Sequence, residues 1–415
     1  MKILTLSNLY PPNAVGGYEQ LCFDVMHALA ERGDQIVVLT SHYGGRQAEY
    51  SNQKVLPQLE LLAEKDNIYA QFSASAIERE RINKHNIDTL KQTLMTEKPD
   101  VVFVWNLHFL DPSFLAALET AEVQPVYLLT DNWLVAFHNP HFIATYFAEQ
   151  VHAVQGGWQR FIKTRFQRLL SLRQQHQEMS GSAIFASSFM VDLYRQAGLS
   201  FARQVVIHHG IVPAEIQLVP LDRSQLLHRQ ELHLLFAGRI VDIKGVHTAI
   251  AALPLVIQAF PQLRVQLKIV GDDRDQPYRE KLREQLETLG IEAQVSFVPP
   301  VAEAELPQLF QHSDIYLFPS LYEPFSLTLI HALRSGIPTV ASRAGGTPEI
   351  VLHRQTGMLF DTADSADLAR QTIALAKTPQ LRAELSRRAC DVANQFTFKR
   401  MVDKVSDHLS AVYQG

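Results

Sequence analysis

Residues 314–351 read DIYLFPSLYEPFSLTLIHALRSGIPTVASRAGGTPEIV, and this stretch decides the fold. The apolar run at 315–318 predicts a buried strand, and Ser326 is a favourable N-cap for a helix that ends near Gly336. A loop that carries Glu323 joins the strand to the helix. A strand, a loop and a helix start in this order are typical of a parallel α/β sheet, which binds ligands at the carboxyl ends of its strands.

The start of this helix predicts a phosphate-binding site, because its first backbone N–H groups have no partner inside the helix and its dipole is positive there. The carboxylate of Glu323 would repel a phosphate, so it is expected to accept hydrogen bonds from a sugar that the phosphate carries. The pattern therefore indicates a nucleotide-sugar site. Its predicted binding residues on the helix start are Phe325, Ser326, Leu327 and Thr328.

Size and composition limit the class of protein. A chain of 415 residues is expected to form two or three domains. The net charge of -5 argues against nonspecific nucleic-acid binding, and only two cysteines favour a reducing compartment. The apolar runs at 3–6 and 249–260 are too short for an export signal and a membrane span. We expect a cytoplasmic protein that does not bind nucleic acid.

Short β-branched runs alternate with helical patterns along the whole chain, which predicts parallel sheets with crossover helices. The first series lies at 2–6, 35–40, 101–104, 126–129, 183–187 and 205–208; the second lies at 232–237, 265–270, 295–298, 315–318 and 339–342. The polar stretch 213–230 between them predicts a linker. The expected fold class is α/β, with two tandem Rossmann-like, doubly wound domains that face a cleft, at 1–213 and 214–395.

Two glycine-containing turns and a pair of cations are further candidates for the site. Gly16 and Gly17 end the first βα turn and would let the backbone approach a ligand, although an ordinary turn also explains them. The dinucleotide spacing G-x-G-x-x-G is absent there, which argues against a dehydrogenase. Gly238 closes a strand beside Arg239, and Lys244 follows. These two cations could hold a diphosphate leaving group, the alternative being a solvated surface pair.

Two acidic segments complete the candidates. Glu349 follows Gly345 and Gly346 and would bring a second carboxylate to the same cleft, although turn formation alone explains these glycines. The acidic run at 272–275 has an Asp-x-Asp spacing, but Asp and Gly are common turn residues after a strand, so we predict no metal site.

These motifs, in this order, resemble those of the retaining glycosyltransferases of family four, which have the two-domain GT-B fold. The resemblance rests on Pro11-Pro12 with Gly16-Gly17 and Glu19, on VWNLH at 104–108, on Gly238-Arg239 with Lys244-Gly245, on the segment from Glu323, and on GGTPE at 345–349. It implies transfer of a sugar, with retention and without a metal, from a nucleotide-diphosphate sugar to a hydroxyl of a glycan, glycolipid or small molecule. It also implies that the C-terminal helix, 396–415, crosses back to the first domain.

The resemblance implies roles for individual residues. The glycine pair at 16–17 and the cations Arg239 and Lys244 would hold the diphosphate, and Glu323 would hold the sugar. Two positions depart from the family pattern. His331 stands where a second glutamate usually binds the ribose diol, which would weaken donor binding by about 1–2 kcal/mol. Thr130 replaces a histidine and is no general base at neutral pH.

Asp131 and His108 remain candidates for orienting the acceptor, although His108 could equally be a structural histidine at a strand end. In enzymes that resemble this chain, the leaving phosphate is thought to take the acceptor's proton. Two other function classes stay open: a nucleotide-sugar-binding protein that has lost its chemistry, and an enzyme such as an epimerase that needs no acceptor. The acceptor and the oligomeric state are not encoded in any motif.

The segment 158–170 places apolar residues at helical spacing among arginines and a lysine. Such a helix could lie on anionic lipid, which would make the protein peripheral at a membrane. The alternative, which is more common, is that the apolar stripe packs on its own domain.

Overall fold

The computed structural model describes residues 1–14, 17–45, 48–65, 68, 72–120, 123–151, 176–212 and 230–414. These form two compact units: Met1–Ala186, Met190–Ile207 and Val402–Gly415 make the first, and Ser187–Phe189 with His208–Met401 make the second. The predicted domain boundary at 213–214 and the predicted basic helix at 158–170 lie outside the described residues.

The first unit is built on a parallel sheet with the order β3-β2-β1-β4-β5-β6-β7 in the described part of the chain. Its strands are β1 Lys2–Leu6, β2 Gln35–Ser41, β3 Gln53–Leu59, β4 Val101–Val104, β5 Pro125–Leu129, β6 Gln177–Phe185 and β7 Leu199–Val206. The central strand β1 lies between β2 and β4, with Ile3 opposite both Ile36 and Val101. Strands β4 and β5 are buried along their whole length, as expected for a sheet covered on both faces.

Helices cover this sheet. They are α1 Gly17–Glu31, α2 Ala76–Glu97, α3 Ser113–Glu119, α4 Trp133–His138, α5 Pro140–Tyr146 and α6 Ser188–Gln196, with a π-helical turn at Phe147–Val151. Two local signals explain the limits of α2. Ser75 is its N-cap, accepting a hydrogen bond from the Glu78 N–H, and Lys98 ends it in the left-handed conformation.

The second unit repeats the design with the order β10-β9-β8-β11-β12-β13, again among the described residues. Its strands are β8 Glu231–Ala237, β9 Arg264–Val270, β10 Val295–Val298, β11 Ile315–Phe318, β12 Thr339–Ser342 and β13 Met358–Phe360. Its helices are α7 Val246–Ala259, α8 Gln276–Leu289, α9 Leu306–Gln311, α10 Leu327–Arg334, α11 Thr347–Ile350, α12 Ser365–Lys377 and α13 Pro379–Ala393. Apolar side chains from the central strands and from α7 and α12 form one buried cluster. Two parallel α/β sheets confirm the predicted fold class.

Four strands differ from the sequence prediction. Strand β3 was not predicted, because it is an edge strand whose polar residues and Pro57 hide the usual pattern. Strand β13 was also not predicted, because three residues give too short an apolar run. Strand β6 spans Gln177–Phe185 and strand β7 spans Leu199–Val206, so their predicted positions at 183–187 and 205–208 were wrong by several residues.

The last helix, α14 Phe398–Gln414, returns to the first unit as predicted. Residues from Val402 onward group with that unit, where Asp403 forms an ion pair of 2.6 Å with Arg32. The Nε2 atom of His408 lies 2.6 Å from the hydroxyl of Ser182 on β6. Within the described ranges, no helix combines the length and apolar character that a bilayer crossing requires.

A buried arginine generates a stability prediction. Arg382 on α13 is fully buried, and its guanidinium donates to the carbonyls of Leu375, at 3.0 Å, and of Ala376. These carbonyls lie in the last turn of α12, where the N–H groups of a further turn are missing, although the Leu375 carbonyl also accepts a hydrogen bond of 3.4 Å from the Thr378 N–H. We expect Arg382→Ala to lower the free energy of unfolding by about 2–4 kcal/mol, measured by urea denaturation. The exposed Arg387→Ala on the same helix is the control and should change it by less than about 0.5 kcal/mol.

Candidate active site

The centre of the second unit's carboxyl edge is an ion pair between Lys244 and Glu323. Lys244 ends a short 3₁₀ turn after β8, and Glu323 lies on the loop after β11. Because β8 and β11 are neighbours, with Leu234 opposite Ile315, the loops after them meet. The Lys244 Nζ lies 2.6 Å from the Glu323 Oε2, and the side chains are only 19% and 6% exposed. The cost of removing these charges from water offsets most of their electrostatic attraction. The pair therefore contributes mainly by holding the two opposite charges in fixed positions.

The loop that carries Glu323 is fixed by backbone contacts. The Glu323 carbonyl accepts a hydrogen bond of 2.8 Å from the N–H of Gly346. The next carbonyl, of Pro324, accepts one of 2.8 Å from the hydroxyl of Ser187. Gly345 has φ 56°, and a Cβ atom there would lie 2.1 Å from the Glu323 carbonyl oxygen. Only glycine allows this approach, so the glycine pair holds the carboxylate in position.

Helix α10 begins directly after this loop, with Ser326 as its N-cap, as predicted. The Ser326 hydroxyl accepts a hydrogen bond of 3.2 Å from the N–H of Leu329. Leu327 and Thr328 lie in the first turn of α10. Their N–H groups have no acceptor within the helix. The Phe325 ring is buried and stacks on the His208 ring, with 5.0 Å between centroids. The arrangement leaves two backbone donors beside a fixed carboxylate.

Arg239 lies in the segment between β8 and the turn that carries Lys244. It follows Gly238, whose N–H donates to the Val270 carbonyl at 3.0 Å, and its side chain is exposed. The Asp272 carboxylate has a pKa below its usual range, mainly through hydrogen bonds from Arg274 and partly through the charge of Arg239. The charge of Arg239 therefore acts on Asp272. Its predicted role at a diphosphate stays a prediction.

Two further predicted residues of the second unit have partners in the structure. The His331 Nε2, on α10, lies 2.8 Å from the Glu303 Oε1. Glu349 on α11 accepts hydrogen bonds of 3.0 Å from the backbone N–H groups of Ser188 and Phe189, and one from His208. Burial raises the pKa of the Glu349 carboxyl, but these hydrogen bonds outweigh burial and bring the pKa below its usual range. Glu349 thus has a structural task, and its predicted binding role stays a prediction.

In the first unit, Asp131 and His108 follow the carboxyl ends of β5 and β4. The pKa of the Asp131 carboxyl is raised above its usual value, mainly because the group is removed from water. A hydrogen bond from the Trp133 N–H and the nearby charge of His108 offset part of this rise. The two predicted acceptor residues therefore follow neighbouring strands of the sheet. Tyr18 was not predicted for this site. Its hydroxyl lies 2.9 Å from the carbonyl oxygens of both Trp105 and Leu128.

The sequence signal for Tyr18 was its place directly after the glycine pair. Gly17 begins α1, whereas Gly16 lies outside the described residues. Thr130 hydrogen-bonds the Tyr18 hydroxyl, whose pKa is raised well above its ordinary value, mainly by burial. Tyr18 is therefore a neutral donor that ties α1 to the strand ends. As for metals, the described part of the chain contains no group of three His, Cys, Asp or Glu residues that could hold an ion.

Two family models match the chain in succession. The family described as Glycosyltransferase Family 4 matches residues 15–215, and the family described as Glycosyl transferases group 1 matches residues 220–391. The chain belongs to glycosyltransferase family 4. This confirms the family resemblance predicted from the sequence motifs.

Similar curated proteins are named as glycosyltransferases. The D-inositol 3-phosphate glycosyltransferase of Pseudarthrobacter chlorophenolicus is 34% identical over 157 residues, which is 38% of this chain and 37% of that protein. The chain spans under half the length of the inositol-phosphate relatives it matches first.

Solved structures share the fold over nearly the whole chain. The sucrose-phosphate synthase of Thermosynechococcus elongatus has a TM-score of 0.74 at 18% identity, covering 100% of this chain and 99% of that one. Anabaena HepE in complex with UDP-glucose has a TM-score of 0.66 at 22% identity, covering 99% and 100%. These similarities confirm the GT-B fold.

The contact between Gly345 and Glu323 generates a prediction. Gly345→Ala should lower the free energy of unfolding by about 3 kcal/mol or more, because a left-handed alanine also collides with a backbone carbonyl. The matched control is Gly290→Ala, at φ 64° with nothing within 4 Å of the added Cβ, which should lose only about 1–2 kcal/mol. Equal losses in urea denaturation would contradict the proposed constraint on the Glu323 loop.

Proposed function

We propose that this protein is a retaining glycosyltransferase that moves a sugar from a nucleotide-diphosphate donor to a hydroxyl acceptor without a metal ion. The observation that carries the proposal is the largely buried Lys244–Glu323 ion pair, together with the N-terminus of α10 that follows the Glu323 loop. A cation, a carboxylate and backbone donors together suit a phosphate that bears a sugar. The glycosyltransferase name of its inositol-phosphate relatives and the UDP-glucose in the HepE complex support this class of donor.

Different groups of this site would bind the phosphate and the sugar of the donor. The N–H groups of Leu327 and Thr328 bind a phosphate at the positive end of the helix. Lys244 has three N–H donors, so its bond to Glu323 leaves two for phosphate oxygens. The Glu323 carboxylate can accept several hydrogen bonds, so it also binds sugar hydroxyls while Lys244 holds its orientation.

The chemical step follows from this placement. The bond between the sugar C1 and the phosphate oxygen breaks, and C1 bonds to the acceptor oxygen on the same face. The acceptor's proton moves to the departing phosphate oxygen, which therefore serves as the base that Thr130 cannot be. Negative charge grows on the diphosphate during this step. Lys244, helped by Arg239 and the start of α10, stabilises that charge.

We propose that residues of the first unit bind the acceptor. His108 and Asp131 lie at neighbouring strand ends, and the raised pKa of the Asp131 carboxyl makes it a good hydrogen-bond partner for an uncharged hydroxyl. Tyr18 fixes the start of α1 next to them. The acceptor is therefore expected to present a hydroxyl, on a glycan, a glycolipid or a small molecule.

Nucleotide release tests the donor site. UDP-, GDP- and ADP-sugars are incubated with the protein, and the freed nucleotide is measured. We expect one nucleotide to be released, and Lys244→Ala and Glu323→Ala to slow release by at least about a hundredfold, since each removes charge stabilisation or positioning at the reacting centre. Lys268→Ala and Glu284→Ala, exposed residues of the same unit, are the controls and should release nucleotide at the normal rate.

Three other outcomes have distinct meanings. Donor binding by calorimetry, with no release even after a panel of hydroxyl acceptors is added, would support a nucleotide-sugar-binding protein without catalysis. Inversion of a sugar centre without any acceptor would support an epimerase. If no donor binds, the assignment of Lys244 and Glu323 to a donor site is wrong.

Stereochemistry and chelation test the finer part of the proposal. With an α-linked donor, we expect proton NMR of the first product to show the α anomer, because the acceptor attacks from the face that the phosphate leaves. Addition of EDTA should leave the rate unchanged, because protein cations and helix amides stabilise the leaving group. A β product would exclude retention, and loss of activity restored by Mg²⁺ or Mn²⁺ would exclude metal independence.

A further inference from the structure

A second carboxylate lies at the same edge of the sheet as the proposed donor site. Glu303 follows β10 on a 3₁₀ turn, Glu303–Glu305, and β10 runs parallel to the strands that precede Lys244 and Glu323. Its Oε1 lies 2.8 Å from the Nε2 of His331. The His331 side chain is 10% exposed, whereas that of Glu303 is 63% exposed. The histidine is thus buried behind a carboxylate that faces solvent.

The position of His331 on α10 relates this pair to the phosphate site. Leu327 and His331 are four residues apart, so they lie on the same face of the helix, about 6 Å apart along its axis. A group that binds phosphate at the Leu327 N–H therefore has Glu303 and His331 about one helical turn away. In α/β nucleotide sites the phosphate lies at a helix start, and a carboxylate on another segment binds the ribose hydroxyls.

The chemistry of Glu303 suits hydroxyl binding. The hydrogen bond from His331 is the main reason that the pKa of the Glu303 carboxyl is below its usual range, so it is ionised at neutral pH and accepts hydrogen bonds only. One oxygen is oriented by the imidazole, and a carboxylate retains further acceptor positions for a pair of hydroxyls. Its own turn does not need it, because Glu305 accepts the hydrogen bond from the Ala302 N–H.

We propose that Glu303, oriented by His331, binds the vicinal ribose hydroxyls of the donor nucleotide. This inference rests on the proposed function and deepens it. Histidine alone was expected to weaken ribose binding, since it cannot accept two diol protons. The chain supplies the missing acceptor from a different segment. His331 acts as a positioning residue, and Glu303 contacts the nucleotide.

The test compares nucleotides with and without those hydroxyls. Calorimetry first identifies which of UDP, GDP and ADP binds, and then measures its 2′,3′-dideoxy counterpart. We expect the wild type to prefer the ribonucleotide by at least about tenfold, as for hydrogen bonds to a charged group. In Glu303→Ala that preference should fall below about threefold, while the affinity for the dideoxynucleotide stays nearly constant.

Controls separate recognition from folding. Glu292→Ala removes another exposed glutamate of the same unit and should keep the full preference. His331→Ala should reduce the preference, and His331→Gln, which retains an N–H donor, should restore part of it. A merely structural role of His331 would lower affinity for both nucleotides equally and leave their ratio unchanged.

The inference fails if Glu303→Ala keeps the wild-type ratio or weakens both nucleotides alike. It also fails if the wild type binds both nucleotides equally, and in that case the proposed donor site still stands. If no nucleoside diphosphate binds the wild type, the proposed function and this inference fall together.

Discussion

The ion pair between Lys244 and the buried Glu323 is the interaction on which the second unit's strand-end loops depend. A buried charge that loses its partner is costly, so neither loop can move far without the other. Gly346 and Gly345 reinforce this constraint: the Gly346 N–H donates to the Glu323 carbonyl, and Gly345 approaches that carbonyl closely. The result is a carboxylate held in one place before any ligand arrives, which is the pre-organisation that a binding or catalytic site requires.

Much of the fold was predictable because parallel strands are buried on both faces. Strands β8 to β12 were predicted at or within one residue of their observed ends, since apolar and β-branched residues dominate each of them. The start of α10 was predicted from Ser326, a local signal. By contrast, β3 lies at a sheet edge with only one neighbour, so its sequence is free to be polar and to include Pro57.

Individual residues of the candidate site could be predicted from local sequence motifs, but the contacts between distant segments could not. Lys244 and Glu323 were both identified, but their direct bond depends on which strands are neighbours, and that order is a property of the sheet. The partnership of His331 with Glu303 gave no signal, because the residues lie on separate segments and an isolated exposed glutamate resembles any solvated residue. The hydrogen bonds of Glu349 to Ser188 and Phe189 likewise join distant segments.

The return of α14 makes the first unit discontinuous along the chain. Val405 and Leu409 of that helix are completely buried, so the first unit lacks these core side chains until the helix is in place. During synthesis, an N-terminal domain usually folds while the rest of the chain is still being made. Here the first unit is completed only after the second has been synthesised, so residues 1–207 produced alone would be a fragment with an open core rather than an independent domain.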